Sequence, residues 1–200
     1  GGLGTGITNA QLAGSIDVTT KITGVVPTAN LGSGSASSST FLRGDQTYAA
    51  AGGAFESNLL HITHEAADDT NGGDSTSGSW QKRTINTINT NEISATLTSD
   101  VIALGAGTYY TQCNATFSNS SYLQLRLRDT TNSTTLVVGG NVHMTTAATS
   151  LVMGRFTLSG TVNIELQYYS TSGYATTGQG YASPPSGEVN RWVNVQIWKI

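Results

Sequence analysis

Charge is what this sequence has least of. Only 10% of its 200 residues are Asp, Glu, Lys or Arg, against roughly 25% in an average globular protein. Nine basic and twelve acidic residues leave a net charge of −3. No basic field exists to draw nucleic acid or an anionic membrane. A single cysteine, Cys113, excludes an intrachain disulfide framework. No apolar run approaches the roughly 20 residues of a membrane-spanning helix, so no membrane insertion is expected. No Lys-Ser/Thr follows any glycine-rich stretch, which excludes a phosphate-binding loop. A chain starting at Gly1 rather than Met reads as a processed product or a fragment, with no visible signal peptide. What fills the space is glycine, 24 residues, with abundant Ser, Thr and Asn. That is the composition of turns and polar strands, not of helices.

Two halves follow different rules. Residues 1–53 hold almost no aromatics and no long periodic run. They hold a loose repeat instead: TNAQLAGS at 8–15 resembles PTANLGSG at 27–34, with Leu12 answering Leu31. Isolated Ile7, Ile16, Ile22, Val25 and Val26 sit among Gly, Ser, Thr and Asn. One copy of such a segment cannot bury enough apolar surface to offset its ordering entropy. It is either a flexible linker or a strand wound with other copies around a thin shared core. The recurring apolar residues favour winding.

Residues 54–200 alternate with the period of strands. In GTYYTQCNATF (107–117), Tyr109, Cys113, Ala115 and Phe117 share one face; Tyr110, Gln112, Asn114 and Thr116 share the other. SYLQLRLRDTTNSTTLVV (121–138) reads as a hairpin with Leu123, Leu125 and Leu127 inward. TVNIELQYYS (161–170) turns Val162, Ile164, Leu166 and Tyr168 inward. No helical period is sustained. Short strands between turn signals predict an all-β antiparallel sandwich of the jelly-roll type, large enough to fold alone.

The outward faces are unusual. In NRWVNVQIWKI (190–200), Val193, Val195 and Ile197 point to the core, which leaves Trp192, Gln196 and Trp198 outside. The preceding strand places Glu165, Gln167 and Tyr169 outward, and the Leu-rich strand places Tyr122 and Arg126 there. Large aromatics mixed with Arg mark a protein–protein interface. These eight residues are therefore expected on one sheet packed against other copies of the chain, with Glu165 pairing Arg126 across the contact. The bland alternative extends the core with the two Trp residues at one end of the sandwich.

Catalytic constellations are thin. HITHEAADD (61–69) contains His61 and His64 without the HExxH order of a zinc protease. Solvated loop side chains are the commoner explanation. DDTNGGD (68–74) partly resembles a calcium loop but lacks the closing bidentate Glu, so it reads first as a turn. No carboxylate pair stands out for glycoside hydrolysis. Cys113 alternates into the core and reads as a small hydrophobe. Neither a catalytic residue nor a metal or cofactor is assigned. The loop STSGYATTGQGYASPPSGE (170–188) is long for a sandwich connection. Its Tyr174, Tyr181, Pro184 and Pro185 among Gly, Ser and Thr have the makeup of a binding loop, so these four are candidate receptor contacts. A plain solvent loop is the alternative.

SWQKRTINTI (79–88), ALGAGTYYTQCNATF (103–117), LQLRLRDTT (123–131), GRFTLSGTVNIELQYY (154–169) and VNVQIWKI (193–200) together resemble the C-terminal jelly-roll domains of bacteriophage fibre proteins. The fold of those domains is similar to that of tumour necrosis factor and complement globular-head domains. ITNAQLAGSI and KITGVVPTANLGSGSASSSTFLRGDQTY resemble the repetitive shaft of such fibres, with Gln46 and Tyr48 where the pattern has Gly and Trp. The resemblance implies a shaft and junction at 1–53 and a head at 54–200. It implies a homotrimer whose last strand lines the threefold axis, and a shaft joined to other tail proteins of the virion. The activity implied is non-enzymatic attachment to a host-surface glycan or outer-membrane protein, by a tail fibre acting outside the host cell. The alternative function is a head that only trimerises and caps the shaft; a polysaccharide depolymerase and a cytokine-like ligand stand behind it. Arg43-Gly44-Asp45, the integrin tripeptide of animal adhesion proteins, is expected to be a turn at the junction. There Gly44 would supply backbone freedom, and Arg43 and Asp45 would pair with neighbouring chains.

Overall fold

The computed structural model describes residues 31–38, 40–50, 58–119, 122–182 and 186–200. The chain divides into two units at residues 52 and 53. Residues 1–30, with most of the repeat, and the candidates Pro184 and Pro185 lie outside the described residues.

In the first unit, β1 (Thr40–Leu42) and β2 (Tyr48–Ala50) form a hairpin. The RGD tripeptide is its turn. Arg43 N donates to Thr47 O at 2.8 Å, and Gln46 N donates to Arg43 O at 2.9 Å. Asp45 Oδ1 accepts from Thr47 N and Thr47 Oγ1, and these bonds hold its carboxyl below the ordinary value. The expectation for Gly44 is corrected: the left-handed residue is Gln46, at φ +63°. A glycine at that position would carry no Cβ strain. Arg43 and Asp45 face each other at 3.9 Å, both more than half exposed, a pairing of little energetic consequence.

The second unit is all-β, without an α-helix among the described residues. Its strands are β3 (Leu59–Ala66), β4 (Trp80–Lys82), β5 (Thr87–Asn91), β6 (Thr96–Thr98), β7 (Val101–Leu104), β8 (Gly107–Ser118) and β9 (Tyr122–Asp129). β10 (Thr134–Val138), β11 (Val142–His143), β12 (Ala147–Leu158), β13 (Val162–Ser170) and β14 (Asn190–Lys199) follow. Antiparallel pairs nest from the outside inward: β3 with β14, β7 with β13, β8 with β12 and β9 with β10. The pairs alternate between two sheets, one ordered β12-β8-β14-β3-β5 and the other β10-β9-β13-β7-β6 with β4 and β11 attached. A long hairpin rolled up in this way is a jelly roll.

The core lies between the sheets and follows the alternation. Tyr109, Cys113, Ala115 and Phe117 of β8, the three leucines of β9, and Val162, Ile164, Leu166 and Tyr168 of β13 are buried. Phe117 meets Tyr168 across the layer at 5.2 Å, and Tyr109 stacks on Phe156 at 5.4 Å. Each buried aliphatic or aromatic side chain contributes roughly 1.5–3 kcal/mol.

β14 breaks the alternation, as does β3, where Ile62, Thr63 and His64 are buried in succession. A bulge between Arg191 and Val193 of β14 shifts the register against β3. Trp192 and Val193 are consequently both buried, at 4% and 0% exposure. Trp192 is therefore a core residue, not an outward interface residue as the strict period predicts. A bulge puts one extra residue into a strand and re-aims its side chain.

Candidate functional site

The other interface candidates do not share a sheet. Gln196 and Trp198 lie on β14, in the five-stranded sheet; Tyr122 and Arg126 lie on β9 and Glu165, Gln167 and Tyr169 on β13, in the seven-stranded sheet. The core lies between them, so these residues occupy opposite outer faces. A single contact around one axis cannot use both sets.

On the five-stranded sheet, Asn194, Gln196 and Trp198 stand beside Asn114, Gln112 and Tyr110 of β8. Those in turn stand beside Leu151, Met153 and Arg155 of β12. Tyr110 and Trp198 have ring centroids 6.1 Å apart. Asn194 Nδ2 donates to Asn114 Oδ1 at 3.4 Å, and His61 Nε2 lies 3.3 Å from Asn194 Oδ1. Leu151 and Met153 are 40% and 47% exposed. Charged side chains on this face include Arg155 and the Arg191–Glu65 pair at 2.7 Å, and the two exposed aliphatic side chains line a groove with residues 138–142.

On the opposite face, the expected Glu165–Arg126 pair across copies is replaced by an intrachain relay. Arg126 Nε and Nη2 donate to Gln167 Oε1, and Gln167 Nε2 donates to Glu165 Oε2. The Arg126 guanidinium also lies 4.0 Å from the Trp80 ring centre, a cation–π contact. Trp80 packs on Tyr169 at 5.8 Å.

The long loop is built rather than loose. Its backbone pairs with the segment between β3 and β4: Gly72 N donates to Gly180 O, Gly73 N to Thr176 O, and Gln179 N to Gly73 O. Ser75 and Tyr174 form a bridge. The acidic loop supplies the remaining acceptors. Asp68 takes Gly187 N at 2.7 Å and Ser186 N at 3.2 Å, and those amides, Gly187 first, lower its pKa. Asp74 Oδ1 takes Thr176 N, and Asn71 Oδ1 takes Ala182 N. Two of the three carboxylates of DDTNGGD, Asp68 and Asp74, are thus spent on backbone amides. No cluster of three or more His, Cys, Asp or Glu suited to a metal occurs among the described residues. Tyr174 and Tyr181 are held outward at 44% and 59% exposure.

Sequence reasoning missed the residue that anchors this loop. Arg83 has no exposed surface. Its Nη1 donates to Gln179 Oε1, and its Nη2 donates to Gln179 O at 2.6 Å and Thr116 O at 2.9 Å. The guanidinium lies 4.8 Å from the centre of Phe117. It thereby joins the loop to β8 through the interior. No carboxylate among the described residues pairs with it, and burial pushes it down to about 9. Its only signal in the sequence is scarcity: one of nine basic residues, directly after an aromatic-bearing strand.

Beside the anchor, His64 packs on Trp192 at 5.2 Å, and Trp192 Nε1 donates to Tyr181 O at 3.4 Å. Gly180 presses on that indole: a Cβ there would sit 1.8 Å from Trp192 Cδ1. His64 belongs to β3 and is 7% exposed, which corrects the expectation of a solvated loop histidine. Burial first, and the Arg83 charge second, lower its pKa to about 4 from 6.5, with Asp100 opposing. The folded head therefore resists a proton that the unfolded chain accepts. Stability is full above about pH 6.5 and falls as pH drops toward 4, by up to about 3 kcal/mol. Urea midpoints at pH 7 and pH 4.5 measure this, and His64→Phe is expected to remove that portion of the slope.

Cys113 is fully buried, and burial pushes its thiol up to about 11. A thiol so protonated is no nucleophile near neutral pH.

No family model matches the sequence, and no curated protein matches it. Solved structures similar to it include murine APRIL at pH 5.0, at 10% identity and a TM-score of 0.45 over 72% of this chain and 98% of that one. The globular domain of zebrafish complement 1qA is similar at 13% identity and a TM-score of 0.39, over 70% and 93%. At such identities the likeness is one of fold, and the jelly-roll assignment for this chain rests on its own strand pairing.

Proposed function

We propose that the chain is a non-enzymatic, trimeric tip of a phage tail fibre that attaches the virion to a host-surface receptor. The observation that carries trimerisation is the outer face of the five-stranded sheet. Trp198 and Tyr110 pair there beside water-exposed Leu151 and Met153. An apolar and aromatic patch with few charges is the composition of an interface core. Packed around a threefold axis, this face would bury its aromatics among the amides of Gln112, Asn114, Asn194 and Gln196. The shaft-like residues 1–53 would join the head to other tail proteins, and the fibre would act outside the host cell. Three copies of one weak site on a single tip give avidity without catalysis. The pinned loop with Tyr174 and Tyr181 outward offers one such contact surface, since a preordered loop loses little entropy on binding.

Light scattering of the full chain tests the reading. The expected mass is that of three chains, and Met153→Glu is expected to yield folded monomer. Met153 is nearly half exposed, so a carboxylate there costs the isolated head little and the packed trimer much. A wild-type monomer would overturn the proposal.

A further inference from the structure

A cleft of about 420 Å³ opens on the outer face of the seven-stranded sheet, lined by Tyr122, Leu123, Gln124, Asn141, Tyr169 and Thr171. From its chemistry we infer that it binds a neutral saccharide. The inference rests on the fibre-tip reading for its purpose, and on the cleft alone for its chemistry.

The volume lies within the range of small-molecule sites. Two tyrosines contribute, and each is steadied from outside the cleft. Tyr122 is 57% exposed and packs on His143 at 4.6 Å. Tyr169 is backed by Trp80 at 5.8 Å, and Trp80 is itself covered by Arg126. Rigid rings offer flat apolar area at little entropic cost. Gln124 stands directly opposite Tyr169 in the sheet. Its Nε2 is held by Gly139 O at 3.0 Å, which fixes the amide and leaves Oε1 without a donor among the described residues. Thr171 Oγ1 accepts from Tyr122 N at 3.1 Å and keeps its own proton to donate. The Asn141 amide, exposed at the rim, brings both donors and acceptors.

None of the six lining residues carries a charge. Arg126, one row along the same face, has its guanidinium committed to Gln167 and Trp80. A phosphate or carboxylate entering the cleft would meet no free cation among the described lining residues, so an anionic ligand is disfavoured. A pyranose ring suits the lining. Its C–H face packs against a tyrosine ring, and its hydroxyls exchange hydrogen bonds with side-chain amides and a threonine hydroxyl. Tyr122, Gln124 and Tyr169 belong to the sheet opposite the one proposed to trimerise, while Asn141, at the sandwich edge, also borders the groove of Leu151 and Met153.

Calorimetric titration of the full chain with uncharged tetrasaccharides of glucose, galactose and N-acetylglucosamine, and with charged sialyllactose, tests this. At least one neutral sugar is expected to bind in the millimolar range or tighter, and more tightly than sialyllactose. Tyr122→Ala, Tyr169→Ala and Asn141→Ala are each expected to weaken binding by about tenfold. Tyr169 is half-buried, so if Tyr169→Ala loses its fold, the exposed Tyr122 and Asn141 substitutions decide. No binding by any neutral sugar overturns the inference, as does binding that survives both exposed substitutions, or a preference for sialyllactose. The native mass is read separately. A trimer that binds none of these sugars sinks the saccharide cleft alone, and a sugar-binding monomer sinks the fibre-tip reading alone.

Discussion

Arg83→Ala is expected to lower the stability of the head by about 3–5 kcal/mol and to release the loop between β13 and β14. The guanidinium satisfies two buried acceptors, Gln179 Oε1 and Gln179 O, and the part-buried Thr116 O. Each acceptor left without a donor costs roughly 1–3 kcal/mol. Burying the cation without a carboxylate offsets part of that, which is why the expected loss is less than the sum. Arg83→Lys is expected to recover little, because a lysine keeps the charge but cannot reach two partners with a planar fork. Denaturant midpoints measure the stability, and amide exchange at Gln179 and Gly180 measures the loop. Their amides bond within the loop and to Gly73, so both should exchange faster in the variant. A midpoint within about 1 kcal/mol of wild type would mean that the backbone pairs alone hold the loop.

Trp192→Ala and Trp198→Ala should behave as different kinds of substitution, although the residues are six apart on one strand. Trp192 is sealed against His64 and Gly180 at 4% exposure. Its removal leaves a cavity and is expected to cost about 3–5 kcal/mol whatever the protein concentration. Trp198 lies on the outer face beside Tyr110. Its removal is expected to cost the isolated head under about 1 kcal/mol, by the rule for surface substitutions. Under the trimer proposal it should weaken association, so its apparent stability should depend on concentration. Unfolding curves at two concentrations a hundredfold apart separate the cases. Equal, concentration-independent losses would return Trp198 to the core and remove the proposed trimer face.

The buried faces of β8, β9 and β13 were legible because burial on one side of a strand imposes a period of two. The leucines of β9 and the Val-Ile-Leu-Tyr series of β13 could face only one way. The turn at Arg43-Gly44-Asp45 was legible as a turn, but its strained position was not. Which turn residue takes a positive φ depends on hairpin register, and the strain fell on Gln46. Sheet membership was not legible either. Alternation says that Tyr169 and Trp198 both point outward, but it does not say from which sheet.

By itself, then, the sequence determined the strand class and the inward faces of β8, β9 and β13. Both follow from local period and composition. The tertiary structure alone decided three things. The nesting of strands placed β13 and β14 in opposite layers and so split the proposed interface in two. The bulge at Arg191–Val193 carried Trp192 from the surface to the core. The loops of residues 67–79 and 171–182 met over Arg83, a side chain whose partners lie 33 and 96 positions away in sequence. Contacts of that range leave no periodic trace. They form when folding brings distant backbone acceptors to a buried donor, and one-dimensional patterns carry no record of that distance.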